Sequence, residues 1–282
     1  MSKENNNILS VQGMLPYLLP ELPHGDSGNF SERIFIYDSL ESTNITAKEM
    51  AISGSGEHGT IVIADFQSSG KGRCGKSFYS PAGHGIYISF ILDPVHIGFS
   101  TQTLITAFAA VSVCEAIEAV SGKSPQIKWV NDVLIDGRKI CGILTESVTI
   151  PENKQLKSIT TQPVVLGIGI NFSTPKTGFP EDIQHIAGSL FGVEAPTSTR
   201  NHLAAELINR TLSTKYHYAE NIMLEKYRQR MFLLGKTILV NGTDGNYEAV
   251  AVDIDDIGRL IIKKPNGELL PLSSGEVSIR KQ

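Results

Sequence analysis

Cysteine is scarce in this sequence, with three among 282 residues: Cys74, Cys114 and Cys141. So few, odd in number and without metal-ligand spacing, they exclude a disulfide framework and suit a reducing, cytoplasmic compartment. A cationic excess is also missing. Twenty-five Lys and Arg stand against 29 Asp and Glu, a formal net charge of −4. Nothing therefore draws the chain in bulk to nucleic acid or to an anionic membrane, and neither is an expected partner. There is no uninterrupted run of 18 or more apolar residues, which argues against a spanning helix. The opening MSKENNNILS is too polar for a secretory signal, and its asparagine run reads as a disordered tail. What remains is ordinary for a globular chain, 41% hydrophobic and 19% charged, long enough for one large domain and one small one.

Three regions follow from the patterning. Residues 1–32 are weakly patterned and read as a partly disordered tail. LPYLLPELPHG has three prolines that break any long helix, and the stretch is too short for a winged DNA-binding module with its two uninterrupted helices. Residues 33–234 alternate strand-like and helical segments. IFIYDS, TIVIADF, GIYISFIL and PVVLGIGINF read as strands, the inner ones apolar enough to be buried on both faces. STNITAKEMAI reads as a helix with Ser42, Thr43 or Asn44 as candidate N-caps, and TLITAFAAVSVCEAIEAV as a buried helix. IKWV, VLID and KICGILTES form a hairpin turning through Gly137, and 199–231 holds one or two amphipathic helices. From 235 to 282 short strands alternate with NGTDGN, DDIG and PNG turns, which predicts a small β-barrel.

Three segments have the composition of a site. Gly70-Lys71-Gly72-Arg73-Cys74-Gly75 joins backbone that can approach a ligand closely to fixed cations, with Lys76 next in line, as an anion cradle requires. It is neither a P-loop, since GxxxxGK[ST] is absent, nor a dinucleotide fingerprint, since no helix pattern follows. Lys128-Trp129-Val130-Asn131-Asp132 places the chain's only tryptophan beside three polar groups, and the hairpin returns Lys139 to the same neighbourhood. Gly167-Ile168-Gly169-Ile170-Asn171 puts glycines inside an apolar strand, a sign of close backbone approach, and ends on an amide able to donate and accept. Taken singly, each of these could equally be a surface loop, a turn or a tight strand crossing.

Together, in this order, they resemble the class I biotin protein ligases. That family's GRGRxG appears here as GKGRCG, KWPND as KWVND, RKxxGIL as RKICGIL and GxGIN as GIGIN. An early Ser42-Thr43-Asn44 and a final GEVSIR at 275–280 complete the likeness. The resemblance implies an α+β fold, a mixed sheet backed by helices related to lipoate ligases and class II aminoacyl-tRNA synthetases, with a C-terminal SH3-like β-barrel. It implies activation of biotin with ATP and transfer to a lysine of a biotin carboxyl carrier protein, with Mg²⁺ accompanying ATP; relatives often form homodimers, and the sequence leaves the assembly open.

By the same resemblance, Ser42, Thr43, Asn44, Gln67, Gly70, Lys71, Arg73, Lys139, Gly142 and Gly167 bind biotin. Lys71, Arg73, Phe78, Asn131, Lys139 and Asn171 bind ATP, with Phe78 where relatives often have tryptophan beside adenine. Arg73, Lys139 and Asp132 are the catalytic set. No metal ligands are legible. Val130 replaces the usual proline of KWPND, and either residue suits an extended strand. The competing readings are a lipoate protein ligase, a biotin-responsive repressor, which the first 30 residues could not supply with a DNA-binding domain, and a biotin binder without catalysis.

Overall fold

The computed structural model describes residues 8–22, 30–99, 101–150, 162–196, 199–242, 245–273 and 277–279. Its main sheet has seven strands: β1 (Ile34–Leu40), β2 (Ile61–Gln67), β3 (Gly85–Leu92), β4 (Gln126–Lys128), β5 (Asp132–Ile135), β6 (Arg138–Ser147) and β7 (Val164–Asn171). They lie in the order β1-β2-β3-β7-β6-β5-β4. β1 and β2 are parallel and the other neighbours antiparallel, so the sheet is mixed.

Both faces are covered, as the apolar strands require. On β2 and β3 the residues Ile61, Ile63, Ile88 and Phe90 join one core cluster, whereas Val62 and Ile91 join another. Side chains alternate along a strand, so these clusters lie on opposite faces. Helix α2 (Thr43–Ser53) packs Ala47 and Ala51 into the smaller cluster, and helix α4 (Gln102–Ser121) fills the larger one. By length and composition α4 could cross a membrane, but 78% of its apolar window is buried, the position of a core helix. Thr101 caps it by accepting from Leu104 N–H at 3.2 Å. Helices α5 (Thr199–Leu212) and α6 (Glu220–Gln229) pack over α4, joined to it by the buried Glu115, which meets Lys226 at 2.7 Å and Arg210 at 3.1 Å. Between β3 and α4 lies one further turn, α3 (Pro94–Ile97).

Within the stretch expected to be a partly disordered tail, residues 8–22 are packed. Residues 8–22, including the helical turn α1 (Val11–Met14), pack on α5 and bury Leu9, Met14 and Leu22. Two α5 asparagines hold this segment by its backbone. Asn201 accepts from Ser10 N–H at 3.0 Å and donates to Ile8 O at 2.8 Å, and Asn209 treats Leu19 and Tyr17 likewise. Backbone groups matched by side-chain amides need no regular element, which is why no periodicity announced the contact. The asparagine run itself lies outside the described residues.

After Gly235 come β8 (Thr237–Gly242), β9 (Gly245–Ile254), β10 (Leu260–Lys263), β11 (Leu269–Leu272) and β12 (Val277–Ile279). They form an antiparallel sheet in the order β11-β10-β9-β8-β12. The expected closed barrel is not seen: among the described residues no pairing joins β11 to β12, both short edge strands. Gly258, in the turn between β9 and β10, accepts from Trp129 Nε1 at 3.0 Å, which ties this sheet to the KWVND segment.

A pH effect on stability follows from one histidine. Burial, and the His96 ring stacked 4.6 Å away, lower His58 from its ordinary 6.5 to about 4. The native imidazole then stays neutral where the unfolded chain already binds a proton. Stability is therefore complete above pH 6.5 and declines as pH falls from 6.5 towards 4. The loss is at most about 3 kcal/mol. Burial lowers His84 and His217 as well, in the same direction. Urea midpoints taken above and below this window should fall on acidification, and less steeply for His58→Gln. Equal falls in both proteins would contradict this origin.

Candidate active site

At one end of the site the chain leaves β1 and enters α2 at Ser42-Thr43-Asn44. Ser42 occupies the N-cap position but makes no side-chain cap bond, which leaves its buried hydroxyl to other partners. Gln67, at the end of β2, accepts from Thr43 N–H at 2.9 Å and from the Thr43 hydroxyl at 3.1 Å, and donates to Ser80 Oγ at 2.8 Å. Ser89, from the middle of β3, lies within hydrogen-bond distance of both Thr43 Oγ1 and Asn44 Oδ1. Asn44 also donates to Glu146 at 2.8 Å, so both ends of its amide are engaged. Burial alone would raise the Glu146 carboxyl, but hydrogen bonds from Lys48 and Asn44 outweigh it and hold it below its ordinary range.

The floor is glycine by necessity. A Cβ on Gly167 would fall 2.0 Å from Asn44 Oδ1, and one on Gly169 would fall 2.6 Å from the Phe78 ring. The Phe78 ring thus packs against the backbone of β7 at Gly169, and Gly142 of β6 is equally close to it and to the Lys139 side chain.

The other wall is ionic. Asp132 opens β5 and Lys139 follows the Gly137 turn, so the hairpin brings Lys139 Nζ within 2.7 Å of Asp132 Oδ1. Arg73 Nη1 donates to Asn131 Oδ1 at 3.2 Å, and Asn131 Nδ2 donates to Ile143 O at 3.0 Å. The glycine loop folds on itself: Gly72 N–H donates to Lys76 O at 2.7 Å and Phe78 N–H to Gly70 O at 2.8 Å, while Lys71, Cys74 and Lys76 stay exposed. At the far end Asn171 donates to Gly188 O at 2.9 Å, leaving its oxygen as the free function.

Every residue to which the resemblance gives a binding or catalytic role lines one cavity of about 970 Å³, whereas Gly75, Val130 and Ile170 do not line it. Val130 behaves otherwise than expected. The Trp129–Val130 peptide is cis and the two residues form the turn between β4 and β5 rather than extended strand. Sequence reading missed Ser80, Ser89, Tyr87 and the 180–187 segment, of which Tyr87, Ser80, Pro180 and Ile183 line the cavity. Ser89 had a signal, as the one hydroxyl in the middle of the apolar run GIYISFIL. The 180–187 segment had none.

Comparison with known proteins gives the family. Residues 36–171 match the model of the biotin/lipoate A/B protein ligase family, and residues 233–280 match that of the biotin protein ligase C-terminal domain. The bifunctional ligase/repressor BirA of Bacillus subtilis (strain 168) is 31% identical over 242 residues, covering 84% of this chain and 71% of that one. The biotin–[acetyl-CoA-carboxylase] ligase of Mycobacterium tuberculosis is 30% identical over 244 residues, covering 84% and 85%. The solved structure of the Aquifex aeolicus biotin protein ligase in complex with biotin and ATP superposes with a TM-score of 0.69 at 24% identity, covering 88% of this chain and 99% of that one; it speaks for the fold.

Proposed function

This chain belongs to the biotin protein ligases, and from that premise we propose how its cavity performs the ligation. Biotin and ATP are the substrates. A carboxylate oxygen of biotin attacks the α-phosphorus, pyrophosphate leaves, and biotinyl-AMP forms. A lysine amine of a carrier protein from a biotin-dependent carboxylase then attacks the acyl carbon, and AMP leaves. The name of the Mycobacterium tuberculosis relative points to the carrier of an acetyl-CoA carboxylase.

We assign residues 33–234 to this chemistry. The ureido ring of biotin has one carbonyl acceptor and two N–H donors. Ser42, Thr43 and Gln67 answer both kinds. Gly70, Gly142 and Gly167 let Gln67, Lys139, Phe78 and Asn44 pack against backbone beside the ligand, and Asn44, already engaged on both sides, positions this end. Lys71, Arg73 and Lys139 face the phosphates, where negative charge crowds in the transition state. Phe78 offers its face to the adenine and Asn171 its oxygen to the purine edge. Asn131 orients Arg73. Asp132 takes the proton of the incoming amine. Residues 235–282, read as a relative of the SH3-like barrels, contribute Asn241 and Val277 to the cavity mouth. Among the described residues no three His, Cys, Asp or Glu side chains form a group that could hold a metal, so Mg²⁺ has no protein-built cage here.

The observation that carries this reading is the meeting of the Lys139–Asp132 pair, Arg73 and the Thr43–Gln67 network in one cavity. The same network favours biotin over lipoate, whose dithiolane ring has no donor to offer it. Biotin-dependent exchange of pyrophosphate into ATP is the test. Exchange with biotin and none with lipoate is expected; exchange driven by lipoate alone would overturn the reading.

A further inference from the structure

We propose that Arg200, in the first turn of α5, is a positioning residue for the nucleotide end of the cavity; the proposal rests on the assignment of that end made above. Arg200 is among the largest fully buried side chains, 1% exposed. A guanidinium is held out of water only where its donors are matched. The matches lie on a segment that leads into the site. Nε donates to Gly85 O at 2.8 Å and Nη2 reaches the same oxygen, while Nη2 also pairs with Asp65 Oδ1 at 2.7 Å. Asp65 accepts Gly83 N–H at 3.0 Å on its other oxygen. One arginine therefore fixes both ends of the Gly83–Gly85 turn, from behind the sheet.

That turn sets three parts of the cavity. Gly85 is the register partner of Asn171 across β3 and β7. His84 O accepts from Phe172 N–H at 2.9 Å and Ser173 N–H at 3.0 Å, which fixes the end of β7 just beyond Asn171. The Tyr87 ring folds back over Gly85, where a Cβ would fall 2.2 Å from it, and its hydroxyl donates to Pro81 O at 2.9 Å. Tyr87 in turn meets Phe78 edge-on, with ring centroids 6.4 Å apart. Asn171, Tyr87 and Phe78 all line the cavity.

Farther along β3 lies Ser89, which contacts Thr43 and Asn44. Four residues of strand place it about 13 Å from Gly85. Releasing Arg200 should therefore disturb the nucleotide end and leave the biotin end in place. A merely structural arginine would lower stability without choosing between substrates.

The test is the pair of KM values in pyrophosphate exchange, measured on the full chain. Arg200→Met should raise KM for ATP about tenfold, as loss of a charge-assisted hydrogen bond does, with KM for biotin changed less than about threefold. Arg200→Lys should fall between, since a lysine ammonium keeps the charge for Asp65 but lacks the second donor, Nε–H, that Gly85 O accepts. Asp65→Asn should move KM for ATP in the same direction by a smaller factor. Glu115→Gln, a change in the buried α4–α6 network away from the cavity, should move neither KM. Unmoved KM for ATP in Arg200→Met overturns the proposal. Should that variant not fold, unmoved values in both Arg200→Lys and Asp65→Asn do so. Parallel rises in both KM values, matched by Glu115→Gln, also overturn it. A wild type without biotin-dependent exchange would overturn the functional reading and this proposal together, whereas an active wild type with unmoved variants overturns this proposal alone.

Discussion

Lys139→Ala is expected to slow biotinyl-adenylate formation by about 10²–10³-fold, the usual effect of losing one preorganised charge-stabilising donor. Biotin affinity should change little, because the Thr43–Gln67 end does not touch Lys139. The ammonium lies over Gly142, beside Phe78 and 2.7 Å from Asp132. That pairing adds a second consequence. With the lysine gone, Asp132 keeps its charge without a partner and faces the incoming phosphates. Like charges repel, so the single variant should be worse than the loss of a donor alone. Lys139→Ala combined with Asp132→Asn should therefore recover part of the adenylation rate, while transfer to the carrier stays poor for want of a base. Single-turnover adenylate formation separates the two steps. A double variant no faster than Lys139→Ala would show that Asp132 does not oppose the phosphates, and a normal rate in Lys139→Ala would remove Lys139 from the first step altogether.

Arg73→Gly is expected to leave adenylate synthesis largely to Lys139 and the remaining loop but to release the product. The glycine loop stands between the main cavity and a second one of about 620 Å³. Its tip exposes Lys71, Cys74 and Lys76 and contributes no buried apolar side chain, so opening it costs little. Arg73, held by Asn131 at 3.2 Å, is the cation aimed from that loop at the opposite wall. A charge-assisted contact is worth about 1.5–3 kcal/mol, so its loss should speed dissociation roughly ten- to hundredfold. Biotinyl-AMP is a mixed anhydride that acylates amines once free. Bystander protein incubated with the variant, biotin and ATP should become biotinylated on exposed lysines without regard to sequence. Labelling confined to the carrier while adenylate persists would show that Arg73 does not retain the intermediate.

Much of the site was legible because its chemistry is local. GKGRCG, KWVND, RKICGIL and GIGIN each keep their polar groups within a few residues, and the hairpin that joins Asp132 to Lys139 is announced by Gly137. The strand periodicity likewise foretold the buried β2, β3 and β7. What escaped was long-range. Arg200 is one cation in an otherwise ordinary amphipathic helix, and only the packing of α5 behind β3 brings it to Gly85. Residues 8–22 have no periodicity because Asn201 and Asn209, nearly two hundred residues away, match their backbone. The cis Trp129–Val130 peptide was hidden because an apolar β-branched residue reads as strand wherever it stands. Closure of the C-terminal sheet was not legible either, because turn signals give the number of strands and not the pairing of the outermost two, and among the described residues β11 and β12 are unpaired with each other.

Mass spectrometry of a biotin carboxyl carrier domain incubated with this protein, biotin and ATP tests the central claim most directly. The account predicts one added biotinyl group on one carrier lysine, dependent on both small substrates and lost when that lysine is replaced by arginine. A carrier left unmodified by a protein that sustains biotin-dependent pyrophosphate exchange, or one modified with lipoate in place of biotin, would contradict it.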